Sequence, residues 1–163
     1  MSAPRVGVVV TVCVALHREG RWLLTVRGQQ ADHAPNSIGL VGGHLESATL
    51  IDSGGEPALL EAHTLENNAR REVLEETGIE LTGVDLAYLD SELFRSDGGH
   101  PVLAVTFVAE VPAGAEPRVT APEELSDVGW WTMPELEADS RCPPWTLRLC
   151  ADAAALLAGR PGR

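Results

Sequence analysis

Lysine is absent from the 163 residues, so all twelve basic side chains are arginine. That excludes a Schiff-base or general-base lysine from any chemistry the chain performs. Positive charge is scarce altogether: 24 acids outnumber the arginines, giving a formal net charge of -12. A polyanion gains nothing by approaching such a surface, so neither nucleic acid nor an anionic membrane is expected as a partner. Cysteine is sparse too. Cys13 lies inside an apolar run, and Cys142 and Cys150 flank Pro143-Pro144 without forming a Cys-x-x-Cys pair. This spacing offers no zinc site, and the odd count fits a reducing compartment, hence a cytoplasmic location. The longest apolar stretch near the start, Val6 to Leu16, is too short to cross a bilayer. It lacks a small-x-small cleavage site and leads directly into a hairpin, so it reads as a strand rather than a signal peptide.

What remains is an ordinary globular balance, with 44% hydrophobic and 22% charged residues. A chain of this length suits one domain that buries about two-thirds of its unfolded surface. Val6 to Leu16 and Arg21 to Arg27 read as strands joined at His17-Arg18-Glu19-Gly20. A polar loop from Gly28 to Ser37 precedes a short strand, Ile38 to Val41. Leu86 to Phe94 and Val102 to Val111 form a second hairpin around Ser96-Asp97-Gly98-Gly99, and Val128 to Thr132 reads as a last strand. A helix ending at Thr77 begins at Pro57 or at Thr64, and a C-terminal helix covers Thr146 to Leu157. Strands with two principal helices fit a layered α/β/α sandwich in the α+β class, built on a mixed central sheet.

One nonapeptide outweighs the rest: Arg71-Glu72-Val73-Leu74-Glu75-Glu76-Thr77-Gly78-Ile79. On a helix, Glu72, Glu75 and Glu76 fall within a face about 100° wide, while Val73 and Leu74 point elsewhere and are available for burial. Three carboxylates so crowded repel one another unless a cation sits among them. Hard divalent ions such as Mg2+ take oxygen ligands of this kind. The competing reading is a solvated acidic helix end, but negative charge in the last turn opposes the helix dipole. Gly78 suits the left-handed residue that ends a helix.

The nonapeptide resembles R-E-U-x-E-E-x-G-U, the second half of the box of the Nudix family, where U is a bulky aliphatic residue. Gly42-Gly43-His44-Leu45-Glu46 is similar to the stretch that opens the box. Glu123 to Trp130 and Thr132 to Leu136 resemble the acidic strand and the tryptophan segment that follow it. The full pattern, G-x5-E-x7-R-E-U-x-E-E-x-G-U, meets His63 where the family carries its first box glutamate. An insertion over residues 47–61 and a glutamate-to-histidine change account for this. Glu56 would sit roughly 10 Å before His63 along an extended helix, too far to replace the missing acid; Glu61 and Glu46 are nearer candidates, and the sequence assigns the role to neither. The apolar Leu50, Ile51, Leu59 and Leu60 make the insertion a candidate pocket wall, lid or contact with a second subunit in a homodimer.

The resemblance implies a divalent-metal-dependent pyrophosphohydrolase acting on a nucleoside diphosphate linked to another moiety. It implies Mg2+, with Mn2+ as substitute, bound by Glu72, Glu75, Glu76 and the backbone carbonyl of Gly42. Glu72 doubles as candidate base, and Arg71 holds the carboxylates in place. Arg27, at a strand end, is the candidate phosphate contact, His44 a polar contact, and Trp130 a candidate partner for a nucleobase. One further acid, Glu123 or Glu124, is a candidate for the metal cluster. Nucleoside triphosphates, dinucleoside polyphosphates and nucleotide sugars all stay open as substrates. The alternative is a catalytically weak module that binds a nucleotide or metabolite, motivated by His63 and the insertion.

Overall fold

The structure, a computed structural model, describes residues 7–31, 33–45 and 62–159. The insertion, including the candidates Glu46 and Glu61 and the alternative helix start at Pro57, lies outside the described residues. The first hairpin joins β1 (Val9–Arg18) to β2 (Arg21–Arg27). Its two-residue turn, Glu19-Gly20, has φ of 49° and 79°. Positive φ at both positions matches the twist of the flanking strands, which lets β1 run on through Arg18. The expected short strand is two: β3 (Ile38–Gly39) and β4 (Val41–His44). After α1 (Thr64–Thr77) come β5 (Ala87–Arg95), β6 (Pro101–Glu110) and β7 (Leu125–Trp131).

The short helix α2 (Met133–Ala138) was not expected. Its signal was present in the sequence as a capping box. Thr132 caps the Glu135 N–H, the Glu135 carboxylate reaches back to the Thr132 N–H, and Pro134 sits in the first turn. The C-terminal helix α3 (Pro144–Ala158) starts two residues ahead of the expected Thr146, because Pro144 fits the first turn.

Among the described residues, seven strands make one mixed sheet in the order β3-β2-β1-β6-β5, with β4 added to β1 and β7 to β2. Of these described pairs, β1 with β6 is parallel and the others are antiparallel. Alternation along β1 sends Val12, Val14 and Leu16 to the α1 side, where they meet Ala69 and Val73. Ala15 faces the other way, with Trp22, Leu24 and Ile38, and is covered by Leu136 of α2 and Leu149, Cys150 and Ala153 of α3. Helices thus cover both faces, as the α/β/α expectation required. Leu74 departs from that expectation. Val73 is fully buried but Leu74 is 47% exposed, since it points away from the sheet on the far side of α1.

All three cysteines are free. Burial pushes the Cys150 thiol up to about 12, and it also raises Cys142. The thiolate is the reactive species, so burial disfavours reaction at both side chains in the native fold, most strongly at Cys150. We expect a thiol reagent at pH 8 to leave Cys150 unmodified until denaturant is added. Peptide mass spectrometry showing rapid native labelling of Cys150 would contradict this packing.

Candidate active site

The cleft opens where the sheet splits. β2 stays beside β1 only at the hairpin end, from Leu16 opposite Leu23 to Arg18 opposite Arg21. Farther along, β4 takes its place on β1, pairing Thr11 to Val14 with His44 to Val41. β2 meanwhile turns to β3 and β7. Between the diverging strands lies a cavity of about 680 Å³. Thr11, Thr25, Arg27, Gly42, Gly43 and His44 line its strand side, and Arg71, Glu72, Glu75 and Glu76 its helical side. Glu123 and Glu124 enter from the segment before β7.

The helical wall follows from the spacing of α1. Leu65, Ala69 and Val73 form one i, i+4 row against the sheet. The adjacent row is Asn68, Glu72 and Glu76, and all three are buried although polar. Neighbouring rows on one helix face are pulled under together. Core packing by the first therefore forces two carboxylates into the interior. His63 caps the helix in the left-handed region (φ 55°) without a side-chain hydrogen bond, exposed and a full turn before Asn68. Gly78 closes it at φ 71°, donating its N–H to the Leu74 carbonyl at 2.9 Å.

Arg71 fills the space between the acids. Its guanidinium donates to Glu72 Oε1 at 2.7 Å, to Glu75 Oε2 at 2.8 Å and to Asn68 Oδ1 at 2.6 Å. Glu76 turns the other way and accepts the Gly42 N–H through Oε2 at 3.1 Å. Burial pushes the Glu76 carboxyl up to about 8; repulsion from Glu72 and Glu124 adds to it, while the Gly42 hydrogen bond and Arg27 oppose it. Glu72 is raised as well, by burial first and then by Glu75 and Glu124, against the pull of Arg71. Excess buried negative charge of this kind is what a divalent cation neutralises. Among the described residues no three His, Cys, Asp or Glu side chains converge on one metal position, because Arg71 holds Glu72 and Glu75 toward itself. In chemistry, though not in convergence, these hard oxygen donors fit such an ion.

Two glycines admit this arrangement. A Cβ on Gly42 would strike the carbonyl oxygen of Val12 and Cα of Cys13 on the paired strand. A Cβ on Gly43 would instead collide with the carboxylate of Glu72. The glycine pair thus brings β4 onto β1 and leaves room for Glu72 above it.

The structure gathers Arg27, Gly42, His44, Arg71, Glu72, Glu75 and Glu76 around one cavity. Trp130 is not among the cleft-lining residues. It lies on β7 with the Arg18 guanidinium 4.2 Å from its ring centroid, and it packs against the core on the α1 side. Other residues of the cleft carried no motif: Thr11, Thr25, Gln30, His33, Phe94 and Ser96 come from segments that only folding brings together. A polar or aromatic residue in a loop has no periodic signal that would single it out.

Comparisons with known proteins agree with this architecture. A solved MutT NUDIX hydrolase from Burkholderia pseudomallei superimposes with a TM-score of 0.67 at 23% identity, over 90% of this chain and 98% of that one. The NUDIX domain of Shewanella oneidensis NrtR, solved with ADP ribose, gives 0.66 at 20% identity, over 93% and 89%. A C. elegans Ap4A hydrolase, solved as a binary complex, gives 0.68 at 16% identity, over 94% and 100%. A search of curated protein sequences finds no match. Structural likeness at these identities establishes the fold alone, but a family model described as the NUDIX domain matches residues 6–149. That match runs through every segment that builds the cleft, and the chain accordingly belongs to the Nudix family of hydrolases, which act on phosphorus-containing anhydrides.

Proposed function

We propose that the cleft hydrolyses a phosphoric anhydride bond in a nucleoside diphosphate linked to another moiety, with Mg2+ or Mn2+ held by Glu72, Glu75, Glu76 and the carbonyl of Gly42. The observation that carries this reading is the buried acidic row on α1 facing Arg27 across a single cavity. A divalent ion supplies neutralisation of the phosphate oxygens and a more acidic water. Everything else falls to the chain. Arg71 positions the carboxylates through its bonds to Glu72 and Glu75. Arg27 offers a fork of donors to phosphate oxygens on the side away from the helix. Of the two later acids, Glu124 is the better candidate for the cluster, because its charge bears on both Glu72 and Glu76.

In this reading residues 47–61 are an insertion within the box, and His63 replaces the first box glutamate. His63 stands exposed ahead of α1 rather than in the carboxylate row. Glu72 and Glu76 of that row, and Glu75 beside them, are all carried by α1 itself, downstream of that change. Nucleoside triphosphates, dinucleoside polyphosphates and nucleotide sugars are the substrate classes to try. A panel of these, incubated with Mg2+ or Mn2+ and read by released phosphate, pyrophosphate or nucleoside monophosphate, tests the proposal. Turnover of at least one class that chelator abolishes is the expected result. Tight binding with no product under either metal would favour a binding module instead.

A further inference from the structure

Aromatic side chains are few in this protein, four tryptophans, two phenylalanines and one tyrosine, and two of them are spent at one place on the surface. Trp22 and Phe107 are buried in the core, whereas Phe94 and Trp145 stay 39% and 49% exposed. Both meet the same imidazole. The His33 ring centroid is 6.0 Å from that of Phe94 at 33°, and 6.4 Å from that of Trp145 at 25°. The three rings come from the loop after β2, the end of β5 and the first turn of α3. Apolar surface assembled from three segments and left open is the kind of patch that a ligand covers.

His33 is also held in place. Its Nδ1 lies 2.8 Å from Asp97 Oδ2, which accepts the Ala34 N–H at 3.4 Å as well. This contact ties the loop after β2 to the tip of the β5–β6 hairpin and sets the ring plane before any ligand arrives. Preorganised rings lose little freedom on binding. His33 and Phe94 line the same cavity as Arg27 and the carboxylates. The polar complement is thin. Gln30 lines the same cavity, and the Ser96 hydroxyl already accepts the His100 N–H at 3.2 Å.

Resting on the phosphoanhydride reading above, we propose that this rim binds the base of a nucleotide substrate by stacking on Phe94 and His33, with Trp145 extending the shelf. It selects for possession of a base rather than for its identity, because every base presents a π-face and few groups here can read its edge.

Calorimetric binding with Mg2+ compares three probes: the α,β-methylene analogues of ATP and GTP, in which the α–β bridge cannot be hydrolysed, and inorganic tripolyphosphate. The two nucleotides should bind within a few-fold of each other and about tenfold or more tighter than tripolyphosphate. Phe94→Ala and His33→Ala should each erase most of that preference, and Phe94→Tyr should keep it. Quenching of tryptophan fluorescence by the nucleotides should diminish in Trp145→Phe. Equal affinity of the wild type for all three probes would overturn the base-binding rim, as would an unchanged preference in the folded Phe94→Ala variant. A wild type that prefers the nucleotides but cleaves no anhydride in the panel would overturn the hydrolase reading while sustaining the rim.

Discussion

Replacing Glu76 with glutamine is expected to reduce metal-dependent hydrolysis by on the order of 10²–10³-fold while leaving the protein folded. The expectation rests on where Glu76 sits. It is 6% exposed, in the row with Asn68 and Glu72, and it accepts a hydrogen bond from the Gly42 N–H. Glutamine has the same shape and retains an oxygen to accept that bond, so the contact between α1 and β4 survives. The negative charge is what disappears. Because that charge is buried and crowded by Glu72 and Glu124, the unfolding midpoint in chelator should stay level or rise. Loss of turnover together with an undiminished midpoint would separate a role in metal binding from a role in packing. Full turnover in Glu76→Gln would remove the basis of the proposed mechanism.

The second large effect separates two adjacent glycines. Gly42→Ala should destabilise the fold by roughly 3 kcal/mol, toward the upper end of the overpacking range, because its methyl meets backbone atoms of Val12 and Cys13 that cannot swing aside. For a chain of this size that corresponds to a fall in Tm of about 10 °C. Gly43→Ala meets the far end of a side chain instead, the carboxylate of Glu72. That group can move, so the midpoint should change little. Its movement takes a proposed ligand out of place, and turnover should fall about 10–100-fold. Thermal denaturation and steady-state kinetics on the two variants check both halves. A Gly43→Ala protein with normal kcat would show that the position of Glu72 is not critical.

The contrast between those glycines also marks where linear reading ends. Gly42-Gly43 was legible as a motif, yet that one glycine answers to a strand and the other to a carboxylate follows only from the pairing of β4 with β1. Arg71, Glu72, Glu75 and Glu76 were legible together because helical spacing is local, and sequence distance alone places them on one face. The orientation of Arg71 toward Asn68 as well as the two acids was not, since it depends on rotamers set by burial. Trp130 followed the motif to a position outside the cleft, where Arg18 covers its ring. Capping of α2 by Thr132 and Glu135 is by contrast a local pattern, legible from the Thr-x-x-Glu spacing alone.

Local periodicity and composition determined by themselves most of the strands, though not the division of β3 from β4, together with the acidic helix and its glycine stop, the layered class and the absence of lysine chemistry. Those features depend on neighbours within a turn or a pleat. The cleft was decided by tertiary structure, because it exists only where β2 leaves β1 and β4 replaces it. Its rim is a meeting of His33, Phe94 and Trp145 across long sequence separations. No spacing rule links such residues; the sheet order and the packing of α3 bring them together.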